Sequence, residues 1–418
     1  MLLPPEMGAG MRNKISSAIT IALTFAAIAA AFAQNDPNPA MNDPDQLAWT
    51  LFLNVTADAK TAGANNAVFE TWASDGDTFQ TNPAWPTTAS PLAFKPRALG
   101  LIHRRLHPGT GFSASVVPGG NATEETRRNK SAFDFIVANN LYKVSGLQIV
   151  YAANKPISFP IDSIEIKANW VAVDQLESFN GFSGTPAEAE KIYHVNSAGN
   201  RQYALVSMHV ISKLVPNWTW ATFEHKDNPG RCDVIGCKDV FGAKQAFTPP
   251  LSLAESKQHY PNCDKTPALM TLLAQANIDS AFINYCLKGT QADFTDPTGL
   301  AIRLGNSVTE NGFVDQASCM TCHGRAAFDS TGKMTSFAGF DPISRNSPIE
   351  DTGNAPVGPI NPSWFLVARG PPSLPMLEGE TDLSRIALAA DFVWSIPFCA
   401  IDDAATPPQT TSQHCGGK

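Results

Sequence analysis

The sequence predicts an α+β protein, with a β-rich N-terminal part followed by a mainly helical C-terminal part. Three observations carry this expectation. From Ile161 to Val173, apolar Ile164, Ile166, Ala168, Trp170 and Ala172 alternate with Glu165, Lys167, Asn169 and Val171, the period of a half-buried strand. The chain changes character after Asn228-Pro229-Gly230. Beyond residue 260, apolar residues recur at helical spacing.

In chain order, residues 1–33 read as a secretory signal peptide. Arg12 and Lys14 precede a charge-free apolar run from Ile15 to Phe32, which closes on Ala31-Phe32-Ala33. An uncleaved anchor is the alternative. Residues 34–46 are mostly Asn, Asp and Pro and read as a mobile lead-in. Residues 47–230 form the expected β-rich region. Leu147–Ala153 is a short apolar strand candidate within it. Gln202–Lys213 and Trp218–His225 are a hairpin pair, and Thr185 sits at a helix cap. Residues 231–305 read as a Cys-bearing connector with helices, one running from Thr266 through Phe282, Tyr285 and Leu287 to Gly289. In residues 306–400, helices are expected over Thr309–Ser318 and Ser384–Trp394. Residues 401–418 are a tail.

The chain carries 30 Lys and Arg against 38 Asp and Glu, a formal net charge of −8 without charge blocks. This argues against a nucleic-acid partner or an anionic membrane surface. Past the leader, no run is apolar enough to span a bilayer. There is no Gly-rich phosphate loop with Lys-Ser/Thr, no His-Glu-x-x-His and no Gly-x-Ser-x-Gly. Of eight cysteines, six lie outside a Cys-x-x-Cys pair. Their order suggests the disulfides Cys232–Cys237, Cys263–Cys286 and Cys399–Cys415, with a zinc site around Cys232 and Cys237 as the rival reading.

The sharpest motif is Cys319-Met320-Thr321-Cys322-His323. On one helical turn, two thiols three residues apart reach the vinyl groups on one edge of a porphyrin. The next residue then offers its imidazole to the iron as proximal ligand. Attachment of such a c-type haem happens outside the bacterial cytoplasm, so the motif and the leader agree on a periplasmic or otherwise exported protein. A redox dithiol is the alternative. From about Thr309 to Ala400, the chain resembles a class I cytochrome c domain. That resemblance implies one covalent haem c and a sixth iron ligand from a Met before the last helix, a placement that Met376 in Pro375-Met376 matches. Met334, eleven residues past His323, is too close to cross to the far face. Trp394-Ser-Ile-Pro and Gly370-Pro-Pro-Ser-Leu-Pro depart from the family pattern. The whole chain is similar to large single-haem exported bacterial proteins of the cytochrome c family. Trp218-Thr-Trp-Ala-Thr-Phe-Glu-His, Tyr285-Cys-Leu-Lys-Gly-Thr-Gln and Asp391-Phe-Val-Trp-Ser-Ile-Pro carry that likeness, which supplies no reaction.

Further candidates each have a plainer structural reading. His209 and His225 lie on the expected hairpin, as distal ligands, as acid/base groups or as hydrogen-bonded structural histidines. Glu224 is either their partner or a solvated strand residue. Trp218, Trp220 and Phe223 cover a haem edge or are simply core. Arg325 neutralises a haem propionate or lies on the surface. His103, Arg104, Arg105 and His107 form a small basic patch for an acidic partner, or a solvated face. The leading expectation is a monohaem electron carrier that meets a redox partner protein. The alternatives are a peroxidase-like haem oxidoreductase with a pocket between the two parts, and a haem-based sensor or structural partner.

Overall fold

A computed structural model of the chain describes residues 38–60, 66–87, 94, 122–247, 259–311, 314, 317–334, 357–360, 365–368, 383–412 and 414–415. The expected leader, the patch at His103–His107 and Met376 lie outside these residues.

The described chain opens with α1 (Pro39–Asn42) and α2 (Pro44–Val55), each with Pro at its start. The mobile lead-in expected over 34–46 is therefore corrected from Pro39 onward. Proline's fixed φ and missing N–H suit a first helical turn. Asp45 is buried, accepting from the Val240 N–H (2.7 Å) and the Thr290 hydroxyl (2.6 Å). Next come β1 (Ala73–Ser74), α3 (Asp75–Thr78), β2 (Thr123–Arg128), α4 (Lys130–Ala138) and α5 (Val144–Ala152). Helix α5 replaces the strand expected at Leu147–Ala153. It buries Val144, Leu147 and Val150 at helical spacing and leaves Ile149 exposed, so an unbroken apolar run concealed the period.

The chain continues through β3 (Ile164–Ala172), α6 (Leu176–Asn180), α7 (Pro186–Ile192), β4 (Val195–Ala198), β5 (Arg201–Ser212) and β6 (Thr219–His225). After α8 (Pro267–Gln275) comes β7 (Tyr285–Gln291). Thr185 caps α7 as expected, closing a capping box with Glu188. The expected hairpin is β5–β6. The long helix expected to Gly289 stops at Gln275. The Asp279 carboxylate then starts a new turn by accepting the Ala281 N–H (3.0 Å), and Tyr285 to Gln291 pair with β6 instead.

Seven strands form one antiparallel sheet in the order β1-β2-β3-β5-β6-β7, with β4 beside the start of β5. Strand alternation gives the sheet two distinct faces. On one, Ile166, Ala168, Trp170, Met208, Val210, Phe223 and Leu287 join the main apolar core with Trp49 and Phe52 of α2. Phe52 stacks on Phe223 at 4.3 Å between ring centroids. The other face presents Glu124, Glu165, Lys167, Asn169, Ser207, His209, Thr222 and Glu224 in register across β2, β3, β5 and β6. The period-two reading of β3 holds, but its polar side is not solvated, because both faces are covered.

The C-terminal part departs most from expectation. Its elements are α9 (Cys319–Gly324), β8 (Ala327–Phe328), β9 (Leu366–Ala368), β10 (Leu383–Arg385), β11 (Leu388–Ala389) and α10 (Ser395–Cys399). The helix expected over Ser384–Trp394 is absent: β10 pairs β9, β11 pairs β8, and Asp391 and Phe392 both have left-handed backbones (φ 48° and 69°). Two consecutive left-handed residues cannot belong to a right-handed helix. Among the described residues of Thr309–Ser318, no α-helix leads into the motif. Asn306 caps a turn there, and Ser318 is extended (φ −142°). The boundary expected near residue 230 falls between paired strands β6 and β7. The three disulfides are those expected: Cys232–Cys237, Cys263–Cys286 and Cys399–Cys415. Among the described residues, no helix is long and apolar enough to cross a membrane.

His194 ties three segments together. Its Nδ1 meets Asp279 (3.0 Å), its Nε2 meets Glu70 (2.9 Å), and its ring stacks on Phe282 (4.7 Å). Burial opposes the charge, but the two carboxylates overcome it and raise the imidazole to about 9. Its contribution to stability is therefore complete below the ordinary value of 6.5 and is lost as pH rises through about 9. That contribution is on the order of 3 kcal/mol. The expected outcome is a thermal midpoint that falls across this window, with His194→Gln removing that part of the slope.

Candidate functional site

Helix α9 carries the Cys-x-x-Cys-His residues and is positioned by β7. The Gln291 amide, buried on that strand, donates to the Ser318 hydroxyl (3.0 Å) and accepts the Met320 N–H (3.1 Å). Ser318 in turn caps the helix through the Thr321 N–H (3.3 Å). Thr321 donates to the Gly358 carbonyl (2.7 Å), and the Trp394 indole donates to the Cys322 carbonyl (3.1 Å). Gly324 follows because there is no room for a side chain: a Cβ would lie 2.8 Å from Ile360 and 3.2 Å from the Phe392 ring.

Cys319 and Cys322 are free thiols, while the six other cysteines are paired. Burial pushes Cys322 up to about 11 and Cys319 well above its ordinary value. Neither thiol is the low-pKa thiolate that a redox dithiol needs. The His323 Nδ1 lies 2.9 Å from the Phe392 carbonyl. A carbonyl only accepts, so Nδ1 carries the proton and Nε2 keeps its lone pair. Burial, seconded by the nearby Lys167 charge, holds His323 down to about 3, so the ring is neutral. Apolar Leu304, Met320, Val393 and Ile396 surround the helix, and Trp220 lies against His323 with ring centroids 4.5 Å apart. These residues fit a porphyrin held by two thioethers and one axial imidazole. The imidazole orientation is fixed by a backbone acceptor, as ligating histidines require.

The Phe392 carbonyl is aimed by the left-handed pair. Asp391 accepts from Lys213 (2.6 Å) and from the Phe159 N–H (2.7 Å), which over-determines that backbone.

The other candidates divide. Trp220 reaches the motif, Trp218 packs on Phe159 (5.5 Å), and Phe223 belongs to the opposite face. Arg325 is 5% exposed, so the surface reading is corrected; burial lowers its pKa against the opposing influence of Cys322. Met334 pairs with Phe328 directly after the motif. His209 and His225 do not converge. His225 stacks on Tyr193 (3.9 Å) and donates from Nε2 to the Ile192 carbonyl (2.9 Å), and burial holds it down to about 3. It is a structural histidine. Glu224 is fully buried, accepting from the Ser307 N–H (2.9 Å) with Lys288 3.5 Å away, so it is not a solvated strand residue.

His209 lies on the polar face beside the motif, among groups that the sequence did not single out. Lys167 stands opposite it on β3, with Glu124 3.6 Å from the ammonium. Burial works against the Lys167 charge, but Glu124 and Glu310 outweigh it and raise its pKa. Burial likewise opposes the Glu310 carboxylate, yet His209 in its protonated form, the Asn306 N–H and Lys167 hold it below the ordinary value. The one available signal was charge within β3, where Glu165, Lys167 and Asn169 occupy a single face. Nothing marked that face as covered.

In comparisons with known proteins, no family model matches the chain, and no curated protein or solved structure matches it either.

Replacing Gln291 with Leu removes both links between β7 and the helix start and leaves buried polar groups without partners. A stability loss of about 1–3 kcal/mol is expected in urea unfolding. A midpoint equal to that of the wild type would show that α9 docks by its apolar contacts alone.

Proposed function

We propose that the protein is an exported monohaem c-type cytochrome that passes single electrons to or from a redox partner protein. One observation carries this reading. In a chain whose other cysteines are all oxidised, Cys319 and Cys322 remain as neutral thiols on one helical turn, the first buried and the second half-buried. Beside them, His323 is neutral and its Nε2 keeps its lone pair. A haem held there supplies a one-electron iron centre. Cys319 and Cys322 would hold its edge, His323 would ligate the iron, and Phe392 would fix the imidazole plane. Buried Arg325 would place a positive charge near the motif, suited to a propionate. Met376 is proposed as the sixth ligand on the cytochrome c resemblance. Three disulfides agree with an oxidising, exported location.

A second reading has its own support. The buried charged groups around His209 are more than a carrier needs, and they favour a haem oxidoreductase whose substrate lies against the polar face of the sheet.

Full-length protein exported with its maturation machinery should carry one haem that resists acid-acetone extraction, and Cys319→Ala with Cys322→Ala should abolish it. Persistence of covalent haem in that double variant would defeat the proposal. A low-spin haem indifferent to carbon monoxide and peroxide supports the carrier, whereas binding of either supports the oxidoreductase. Met376→Ala should remove the near-infrared sulfur-to-iron band.

A further inference from the structure

We propose that His209 is a redox-linked proton site, taking up one proton when the centre at Cys319, Cys322 and His323 is reduced. This rests on the haem reading above.

The case begins with Asn306, a fully buried amide whose orientation is fixed. Its Oδ1 accepts the N–H groups of Val308 (2.9 Å) and Thr309 (2.5 Å), so its Nδ2 must face the other way. There Nδ2 donates to the Thr222 hydroxyl (3.2 Å) and reaches His209 Nε2 at 3.1 Å. An N–H group can only donate, so His209 Nε2 is the acceptor and the resting ring is neutral with its proton on Nδ1. Flipping the amide would set an NH2 against two N–H donors, which excludes the other assignment.

A second partner waits on the same nitrogen. Glu310 Oε2, anchored by the Asn306 N–H (2.6 Å), lies 3.5 Å from His209 Nε2. A neutral His209 accepts from Asn306, and a protonated one donates to Glu310. The two protonation states therefore have separate, preformed partners on one atom, which is the arrangement a reversible proton site requires.

The charges facing His209 come from every packed element. Lys167 lies across on β3 with Glu124 behind it on β2. Glu224 and Lys288, on β6 and β7, pair 3.5 Å apart. Glu165 and Arg128 pair one row further along (3.2 Å). Glu310 covers His209 from the loop, and Cys319, Cys322 and His323 lie beyond on α9. Arg128 is shared by Glu165 and Asp75, and around Lys167 two carboxylates, Glu124 and Glu310, face one ammonium. An electron arriving nearby deepens this imbalance in a low-dielectric setting, and protonation of His209 removes it.

Coupling is short-range. Ile211 pairs with Trp220 and His209 with Thr222, so His209 and Trp220 are diagonal neighbours on one face. Trp220 touches His323. The step is balanced: one electron from a donor protein enters the centre, one proton from solvent binds His209 Nε2, and both leave on reoxidation.

The test is spectroelectrochemical titration of the full-length haem-loaded protein from pH 5 to 9. The wild-type midpoint should fall as pH rises through a window, and His209→Gln should flatten that window. Asn306→Asp keeps an oxygen for Val308 and Thr309 but replaces the donor facing Nε2 with an acceptor, so its window should move to higher pH. Nitrogen NMR should show His209 neutral in the oxidised protein and doubly protonated in the reduced one. A pH-independent wild-type midpoint, an unchanged slope in His209→Gln, or one imidazole state in both oxidation states would overturn the inference while leaving the haem reading intact. Absence of the alkaline pyridine signature of covalent haem would overturn the haem reading itself, and this inference with it.

Discussion

The burial of the sheet's polar face is the constraint on which the rest of the structure depends. A half-buried antiparallel sheet normally turns its polar side to water. Here residues 304–310 lie against that side and carry their own polar groups to meet the strands. Asn306 meets Thr222 and His209, Ser307 meets Glu224, and Thr309 donates to Asn169 (2.6 Å). Buried polar groups without partners would cost more than the fold could recover, so the cover and the face must match group by group. Gln291 then holds the start of α9 on β7, and His323 lies against Trp220.

Electrostatics and architecture are therefore the same question in this protein. A scaffold that only needed to hold a helix could use apolar contacts, as α2 does on the opposite face. The covered face instead buries Glu124, Glu224 and Lys288, with Lys167 and Glu310 half-buried among them. Buried ion pairs are weak sources of net stability compared with apolar packing. On that side they lie beside α9, while a further buried pair, Arg127 with Glu125 (3.1 Å), lies on the same sheet.

What could be read from the sequence was local. Alternation in β3, the β5–β6 hairpin, the Thr185 cap and the three disulfides each depend on residues close in the chain or on simple order. The failures were cases where distant partners overrode local pattern. Tyr285 to Leu287 continued a helical apolar spacing, yet β6 offered an open strand edge and won. The Ser384–Trp394 stretch looked helical, but Lys213 and the Phe159 N–H hold Asp391 left-handed from 178 and 232 residues away. The Cys-x-x-Cys-His motif is visible in five consecutive residues. The polar environment beside it is not, because Lys167, His209, Asn306 and Glu310 are ordinary residues until the sheet and its cover bring them together.

The carbonyl that fixes the His323 imidazole belongs to Phe392, 69 residues further along the chain. A growing chain thus presents both thiols and the histidine well before the group that orients the ring exists. On the haem reading, attachment and orientation would be separable in time, because the carbonyl that orients the ring is made after the motif. On the haem reading, a chain ending before Phe392 would keep its three attachment residues but lose this hold on the axial imidazole. On that reading the last part of the polypeptide would be a final locking step, ordering a group already tethered.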